Sequence, residues 1–250
     1  MRADQLLVAR GLAPSRTLAQ RLIAAGRVRA DAAPVRKASE SLADDARLLL
    51  EPGDDERFVS RGGLKLAGAL RSSGLDVRDL VCLDVGQSTG GFTDCLLQAG
   101  AARVVGLDVG HGQLHPRLRD DPRVVAIEGV NARGIGRAAL AGALPPQGVD
   151  LVVVDVSFIS LTLVLPALGP LAAPGGRLLA LVKPQFEVGR AGLDRRGIVR
   201  SPDLYTQVRA KLSACARECG WAEPQWLESP IRGGDGNREF FIHAFRATTP

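Results

Sequence analysis

The chain has 250 residues, 46% of them hydrophobic, which is enough to fill the cores of one large and one small domain and excludes a disordered chain. Its longest apolar stretch, residues 163–182, is interrupted by prolines, glycines and an arginine, so it is not a membrane span of about 20 apolar residues. The first residues show no secretion signal, and we therefore expect a cytoplasmic protein.

The cysteines and histidines predict neither a disulfide framework nor a metal site. Of the four cysteines, Cys215 and Cys219 are four residues apart, but no second pair completes a ligand set. His111 and His115 have the spacing of helical ligands, yet glycine and proline flank them and no acidic third ligand is evident. We expect reduced thiols and no bound metal.

The net charge of +5 is modest for this length, but it is unevenly distributed. Residues 2–37 carry eight basic residues against two acidic ones, whereas residues 38–56 carry seven acidic residues against one arginine. A compact basic head favours a polyanionic partner, because phosphate contacts depend on clustered positive charge. The alternative is a solvated basic helix face, since charge runs are common on surfaces.

The first 51 residues predict two short helices followed by three short strands, a small α+β unit. Leucines recur at helical spacing through RADQLLVARG and SRTLAQRLIAAG, and Ser15 is a suitable N-cap for the second helix. Gly26 ends that helix, and RVRAD, PVRKAS and ARLLLEPG are typical of strands joined by turns. With so few large side chains the unit has a small core, which favours a recognition module over an enzyme.

The motifs SR at 15–16 and GRVRAD at 26–31 resemble a small RNA-binding module shared by a small-subunit ribosomal protein, pseudouridine synthases and tyrosyl-tRNA synthetases. This resemblance implies that the polyanion is RNA, met by the second helix and the hairpin that follows it. Such contacts with phosphates raise the affinity and fix the position of the protein on the RNA, but they do not recognise the base sequence. The implied RNA-binding residues are Arg2, Arg16, Arg21, Arg27, Arg29 and Lys37.

We assign residues 1–51 to an RNA-binding domain, residues 52–60 to a linker with a turn-forming Pro-Gly pair, and residues 61–250 to a second domain. Apolar strands there alternate with helical stretches, which predicts a doubly wound, Rossmann-like α/β fold with a parallel sheet covered on both faces. A helix near 202–218 and a closing antiparallel hairpin end the chain. The five predicted parallel strands are LVCLDV (80–85), RVVGLDV (103–109), RVVAIE (123–128), DLVVVDV (150–156) and GRLLALVK (176–183).

Each of these strands finishes with a polar residue, and ligands of such folds collect at the carboxyl ends of the strands. The five residues are Asp84, Asp108, Glu128, Asp155 and Lys183. Lysine is rare in this chain, so its retention at position 183 points to a need that arginine does not meet. We therefore expect the chemistry at this edge of the sheet.

A glycine-rich loop, DVGQSTGGFTD, follows the first of these strands and predicts a nucleotide-like ligand. Its G-x-x-x-G-G spacing lacks the second glycine of the dinucleotide fingerprint, and an aspartate just before the loop would repel a pyrophosphate. The spacing thus favours a cationic ligand that contains adenosine, S-adenosylmethionine, over a dinucleotide. The dinucleotide stays open as the alternative. Phe158 is expected either against the adenine or in the core. The candidate donor-binding residues are Asp84, Gly86, Ser88, Thr89, Gly90, Gly91, Asp94, Asp108 and Phe158.

Four motifs together, DVGQSTGGFTD, DVSFISL, LVKPQFE and NREFF, resemble those of the TlyA family of hemolysin-A-like rRNA ribose methyltransferases, whose catalytic domain resembles the FtsJ/RrmJ enzymes. The resemblance implies methyl transfer from S-adenosylmethionine to a 2′-hydroxyl of ribosomal RNA, at a cytidine. It also implies a catalytic tetrad of Lys65, Asp155, Lys183 and Glu239. The chain departs from the family in having Gln87 where alanine is common.

The implied reaction explains the residue types of the tetrad. A ribose hydroxyl is a poor nucleophile whose proton must be removed or polarised, and a lysine removes a proton only when its pKa is lowered. Burial and a second ammonium lower a lysine pKa, while carboxylates oppose the shift. Lys183 is then the base or the group that orients the hydroxyl, Lys65 its cationic neighbour, and Asp155 and Glu239 hold them.

Each tetrad member also has a plain structural interpretation. Lys65 would be a solvated helix lysine, Glu239 a partner of Arg238, Asp155 a helix cap and Lys183 a snorkelling strand end.

Two other functions stay open for the chain as a whole. One is a membrane-active hemolysin, and the other is a ribosome-binding factor without catalysis.

Overall fold

The computed structural model describes residues 1–51, 57–140 and 142–247. The chain divides into two compact units, Met1–Arg57 and Phe58–Pro250. Most of the predicted linker, residues 52–56, lies outside the described residues. Residues 58–60, which were also assigned to the linker, belong to the second unit.

The first unit contains two helices, α1 (Ala3–Ala9) and α2 (Arg16–Ala24), and a three-stranded antiparallel sheet. The predicted cap is confirmed, because the hydroxyl of Ser15 accepts a hydrogen bond from the backbone of Leu18 at 3.3 Å. The sheet has the order β2-β1-β3. Its strands are β1 (Val28–Ala30), β2 (Ala33–Pro34) and β3 (Leu48–Leu50).

The strand predicted through PVRKAS is wrong beyond its first residue. The backbone amides of Arg36 and Lys37 donate to the carboxylate of Glu40, at 3.0 and 3.3 Å, so the chain turns there instead of extending the ladder. A local side-chain acceptor thus competes with strand pairing, as short polar side chains often do.

The second unit is built on a seven-stranded sheet of order β6-β5-β4-β7-β8-β10-β9. Strands β4 to β8 pair in parallel, while β10 runs antiparallel to both β8 and β9. The five predicted parallel strands and the closing hairpin are therefore confirmed. The bounds are β4 (Val81–Val85), β5 (Arg103–Leu107), β6 (Val124–Ile127), β7 (Val149–Val154), β8 (Ala172–Val182), β9 (Trp221–Glu228) and β10 (Phe240–Arg246).

Helices join these strands and cover the sheet. The α-helices are α3 (Arg61–Ser73), α4 (Gly91–Gln98), α5 (Pro116–Arg119), α6 (Leu165–Leu168) and α7 (Pro202–Glu218). Short 3₁₀ turns cover Arg137–Leu140, Leu161–Leu163, Gly169–Leu171, Pro184–Phe186 and Arg190–Gly192. The helix predicted at 202–218 is confirmed as α7, which Ser201 caps.

Two apolar clusters pack on opposite faces of this sheet, because alternate residues of a strand point to opposite sides. Val152 and Val154 of β7 belong to one cluster, and Leu151 and Val153 to the other. Strand order reverses between β4 and β7, and ligands of doubly wound sheets bind beyond the carboxyl ends of the strands at such a switch point.

No helix among the described residues is long and apolar enough to cross a membrane.

Candidate active site

The sheet brings the strand-end residues of β7 and β8 to one edge. Asp155 follows the last residue of β7 and Lys183 follows the last residue of β8. Strand β10 enters antiparallel with Phe240 opposite Val182, so the preceding Glu239 arrives at the same edge. Lys65 reaches the group from the second turn of α3. The structure thus gathers all four residues of the implied tetrad.

The tetrad consists of two close ion pairs. Lys183 Nζ lies 2.6 Å from Asp155 Oδ1, and Lys65 Nζ lies 2.6 Å from Glu239 Oε2. Both separations are those of an ammonium in direct contact with a carboxylate oxygen, where the attraction between the two charges is strongest. Lys183 Nζ also donates to Ser157 Oγ at 2.7 Å. Lys183 is therefore oriented by a carboxylate and a hydroxyl together.

Burial distinguishes the two pairs from ordinary surface charges. The side chains of Lys65 and Lys183 are only 11% and 12% exposed, and that of Glu239 only 2%. Burial raises the pKa of Glu239 above its usual value, and the hydrogen bond and charge of Lys65 oppose this shift. The charges of Lys183 and Asp155 also act on the Glu239 carboxyl, so the four groups form one electrostatic cluster.

The plain interpretations of Lys65, Glu239 and Asp155 do not fit these positions. Lys65 is buried rather than solvated, and Arg238 pairs with Glu228 at 2.9 Å instead of with Glu239. Ser160, not Asp155, caps the next helical turn, where its hydroxyl accepts from the backbone of Thr162. These side chains are therefore held at the site for reasons other than capping or surface pairing.

The glycine-rich loop joins β4 to α4 and lies against the tetrad. Gly86 has a φ of +87°, and a Cβ there would strike the backbone carbonyl of Asp155. A Cβ on Gly91 would strike the hydroxyl of Ser60 and lie 3.0 Å from the Gly63 nitrogen. Glycine is required at both places because neighbouring backbone approaches closely.

Asp84 lies beneath this loop rather than facing a ligand. It is completely buried, and its Oδ2 accepts a hydrogen bond from Thr93 Oγ1 at 2.7 Å. Thr93 Oγ1 in turn accepts from Gln87 Nε2 at 2.9 Å. Burial raises the pKa of Asp84 to about 7, and the charges of Asp155 and Asp108 add to the effect. The three residues form a buried support for the loop.

Two adjoining pockets open at this edge of the sheet. One, of about 170 Å³, is lined by the glycine loop and by Asp155, Ser157 and Lys183. The other, of about 500 Å³, extends between Asp108 and Phe158 and is more apolar. Together they offer a volume in the range of small-ligand sites. Both share Gly86, Ser88, Asp155 and Ser157.

The predicted donor-binding residues divide by position. Gly86, Ser88, Thr89, Gly91, Asp108 and Phe158 line one or both pockets. Asp84, Gly90 and Asp94 line neither of these two. The Asp94 carboxylate instead accepts from the backbone of Val59 at 2.8 Å and pairs with Arg117 at 2.8 Å, so it ties the start of the unit to α4.

Asp108 and Phe158 frame the larger pocket. The Asp108 carboxylate accepts backbone hydrogen bonds from Ser88 and Gly110, both at 2.7 Å, which fixes it at the end of β5. Phe158 is 90% exposed with a φ of +64°, and its ring centroid lies 5.2 Å from that of Phe186. The alternative of a core phenylalanine is wrong. The ring of Phe158 thus lies at the rim of the larger pocket, on a backbone conformation that bulky residues rarely adopt.

Several pocket residues were not found from the sequence. Ser157, Gln113 and Asn131 line the pockets, as does Gln87, which the sequence showed only as a departure. Ser157 had a local signal, since it follows Asp155 by two residues in DVSFISL. Gln113 and Asn131 lie in polar loops without any pattern that distinguishes them.

The predicted RNA-binding residues lie in the first unit and form a partly fixed basic surface. Arg2, Arg16, Arg21 and Lys37 are exposed, while Arg27 and Arg29 are half-buried. Arg2 and Arg16 both donate to the buried carboxylate of Asp4, at 3.0 and 3.1 Å. These hydrogen bonds hold the pKa of Asp4 well below its usual value. The two guanidinium groups are therefore held side by side.

Comparison with known proteins gives matches along nearly the whole chain. The family description "FtsJ-like methyltransferase" matches residues 58–246, and "S4 domain" matches residues 1–48. The 16S/23S rRNA (cytidine-2′-O)-methyltransferase TlyA of Mycobacterium tuberculosis is 46% identical over 96% of this chain and 88% of its own. Hemolysin A of Brachyspira hyodysenteriae is 37% identical over 97% of this chain and 99% of its own.

Solved structures give the same picture of the fold. A Streptococcus thermophilus protein with the provisional name hemolysin is 40% identical, with a TM-score of 0.74 over all of this chain and 90% of that one. An S-adenosylmethionine-dependent methyltransferase of Mesorhizobium loti is only 16% identical, with a TM-score of 0.52, and shows the fold alone. The chain therefore belongs to the FtsJ-like methyltransferase family and carries an S4 domain at its N-terminus.

Proposed function

We propose that this chain transfers the methyl group of S-adenosylmethionine to a ribose 2′-hydroxyl of ribosomal RNA, at a cytidine. The observation that carries the proposal is the position of Lys183. Its ammonium nitrogen lies at the wall of the smaller pocket, 2.6 Å from Asp155 and beside the glycine loop. A lysine there is placed to act on a hydroxyl next to a donor bound along the loop.

The pockets fit S-adenosylmethionine in shape and charge. Gly86 and Gly91 line the smaller pocket without a side chain, so a ligand there can lie close to the backbone of the loop. Asp108 at the end of β5 suits ribose hydroxyls, and the apolar side chains of Val109, Val130 and Val156 suit a purine ring. Asp108 and Asp155 also favour a cation over a pyrophosphate.

Bound there, S-adenosylmethionine supplies an activated methyl group on a sulfonium. The tasks left to the protein are to place the 2′-hydroxyl in line with that methyl and to remove its proton. Lys183 acts in its neutral amine form, whose Nζ accepts the hydroxyl proton as the oxygen attacks, and Asp155 and Ser157 fix the direction in which the nitrogen points. Lys65 belongs to the same electrostatic cluster as a second cation.

Glu239 holds Lys65 in the cluster. Its side chain is buried, and Lys65 is the cation next to it, so the carboxylate fixes where the second positive charge sits. The carboxylate also limits the net positive charge that the buried site must accommodate.

The ribosomal substrate is supported by the first unit. The match to the S4 domain and the basic surface around Arg2 and Arg16 favour structured RNA over a small molecule. The relative TlyA is named for cytidine-2′-O-methylation of 16S and 23S rRNA, and its identity to this chain extends across both units.

The test is to map ribose methylation in ribosomal RNA from cells with and without the gene, by mass spectrometry of nuclease fragments. We expect one or more 2′-O-methylcytidines to disappear with the gene and to return when purified chain and S-adenosylmethionine are added to the unmodified ribosomal subunits. Unchanged methylation in both experiments would reject the proposal and favour a ribosome-binding factor without catalysis.

A further inference from the structure

A basic loop in the second unit is not used by the proposed reaction. Residues 190–200, here called the cationic loop, carry four arginines against one acid, while the whole chain has a net charge of only +5. Arg190, Arg195, Arg196 and Arg200 are all exposed, and the side chain of Arg196 is 85% exposed. The loop is thus a concentrated positive patch on the catalytic unit.

The single acid of the cationic loop serves the fold of the loop. Asp194 Oδ1 accepts hydrogen bonds from the backbone amides of Arg196 and Ile198, both at 2.8 Å. Arg196 approaches Asp194 only at 3.7 Å, and within the described residues the side chains of Arg190 and Arg195 have no ion pair. Most of the positive charge is therefore free to meet an external anion.

The cationic loop is held in a defined shape. Leu193 and Val199 form an antiparallel bridge, and the amide of Asp194 donates to the carbonyl of Ile198 at 2.8 Å. Arg195 and Arg196 therefore stand on a closed turn rather than on an extended segment, so less freedom is lost when they bind a ligand.

Asn237 fastens the cationic loop to the active site. It is 1% exposed, donates from Nδ2 to the carbonyl of Gly197 at 2.9 Å, and accepts at Oδ1 from the amide of Val199 at 3.0 Å. Asn237 stands two residues before Glu239, which is about 7 Å of extended chain. The cationic loop is thus attached to the segment that leads into Glu239.

A second link runs from Asn237 to the loop that follows Lys183. Asp235 accepts from Asn237 Nδ2 at 3.0 Å and from Gln185 Nε2 at 3.1 Å. Gln185 lies two residues after Lys183, and Asn237 lies two residues before Glu239. The segments next to these two tetrad residues are therefore both hydrogen-bonded to Asp235. The positions of the cationic loop and of the reacting lysine are therefore set together.

We propose that the cationic loop is a second RNA-binding surface, which contacts the phosphates flanking the ribose that reacts at Lys183. This inference rests on the proposed function. Arginine suits the role because its planar guanidinium binds phosphate oxygens in pairs and keeps its charge. Because phosphate contacts fix register rather than sequence, the loop positions the substrate strand and leaves the choice of base to other groups.

The test compares two double variants of the full chain, Arg195→Gln/Arg196→Gln and a control, Arg71→Gln/Arg217→Gln. The control residues are exposed and lie in the last turns of α3 and α7. Arg71 is about 9 Å along the helix axis beyond Lys65, and α7 ends next to the start of β9, at the opposite edge of the sheet. Both doubles remove two positive charges, so nonspecific electrostatic effects are matched.

For Arg195→Gln/Arg196→Gln we expect the KM for ribosomal RNA to rise about tenfold, with kcat and the Kd for S-adenosylmethionine within twofold of wild type. In filter binding of labelled ribosomal RNA, the slope of log affinity against log salt should fall by about 1.5, as two lost phosphate contacts require. The control should match the wild type in both measurements.

Equal slopes and equal KM values for the two doubles would overturn the assignment of the cationic loop while leaving the proposed function intact. If the wild type binds RNA but transfers no methyl group, the proposed function fails, and the salt slope still decides the role of the loop. If the wild type does not bind ribosomal RNA at all, both are overturned.

Discussion

The ammonium of Lys65 lies 2.6 Å from the carboxylate of Glu239, and both side chains are almost wholly buried. Lys65 lies in the first α-helix of the second unit and Glu239 directly precedes its last strand, so this contact joins segments from the two ends of that unit. Removing one partner leaves the other charge buried without compensation, which typically costs about 3–5 kcal/mol.

A double-mutant cycle measures this relationship. We expect Lys65→Met and Glu239→Gln each to lower the free energy of unfolding by about 3 kcal/mol, because each leaves one unpaired buried group. The combined variant should lose clearly less than the sum of the two. Urea unfolding of the four proteins gives the coupling energy, and additive losses would show that the pair is not coupled.

The buried carboxyl of Asp84 should make stability depend on pH. Its pKa is raised to about 7 in the folded chain, against 3.8 for the ordinary group. Between about pH 4 and 7 only the folded chain holds the proton, so its stability falls by about 1.4 kcal/mol per pH unit and levels off above pH 7. The Asp84→Asn side chain cannot lose a proton, so the stability of this variant lacks this dependence on pH.

Unfolding free energies of wild type and Asp84→Asn at pH 5, 6, 7 and 8 test this expectation. The difference should move in favour of the variant up to about pH 7 and then stay constant. A difference that does not change with pH would mean that Asp84 is ionised throughout this range despite its burial.

Gly86 should be needed for donor binding rather than for folding alone. Its Cβ would strike the backbone of Asp155, whereas a Cβ on Gly74, which has a φ of +66°, would meet nothing within 4 Å. The left-handed conformation lowers the stability of both alanine variants by roughly 1 kcal/mol. Only Gly86→Ala should weaken S-adenosylmethionine binding, by at least tenfold in calorimetry. Equal affinities in the two variants would show that the loop tolerates the side chain.

Arg16 should contribute to RNA affinity through phosphate contact. Asp4 holds its guanidinium beside that of Arg2 on the exposed face of the first unit. We expect Arg16→Gln to weaken binding of ribosomal RNA and to reduce the salt slope by about 0.7–0.9. Arg10→Gln removes the same charge from the same unit outside the predicted contact residues, and should retain more affinity. Equal losses would point to net charge alone.

Much of the fold could be predicted because the parallel strands are buried on both faces. Such strands have near-continuous apolar runs, and the polar residue that ends each run marks the carboxyl edge of the sheet. The position of Asp155 and Lys183 at this edge could therefore be predicted from the residues alone. Lys65 and Glu239 are a different case, because a charged residue on a helix or before a strand has no distinguishing pattern, and only the family resemblance assigned them.

What could not be predicted depends on side-chain contacts between distant segments. Gln87 and Thr93 support the glycine loop through hydrogen bonds that end on the buried carboxylate of Asp84. The place of Asp84 in the sequence, just before the loop, did not indicate that its side chain is buried. The turn at Arg36 depends on the carboxylate of Glu40, which local strand propensity does not include. The attachment of the cationic loop by Asn237 needs two segments to meet in the folded chain.

The proposed reaction depends on Lys183, which removes the proton of the ribose hydroxyl. The most direct measurement is the single-turnover rate of methyl transfer to ribosomal RNA by wild type and Lys183→Ala, with the Kd for S-adenosylmethionine and the unfolding transition measured alongside. We predict a loss of about 10²–10⁴-fold in rate, while donor affinity and folding survive. A rate within a few fold of wild type would show that Lys183 does not remove this proton.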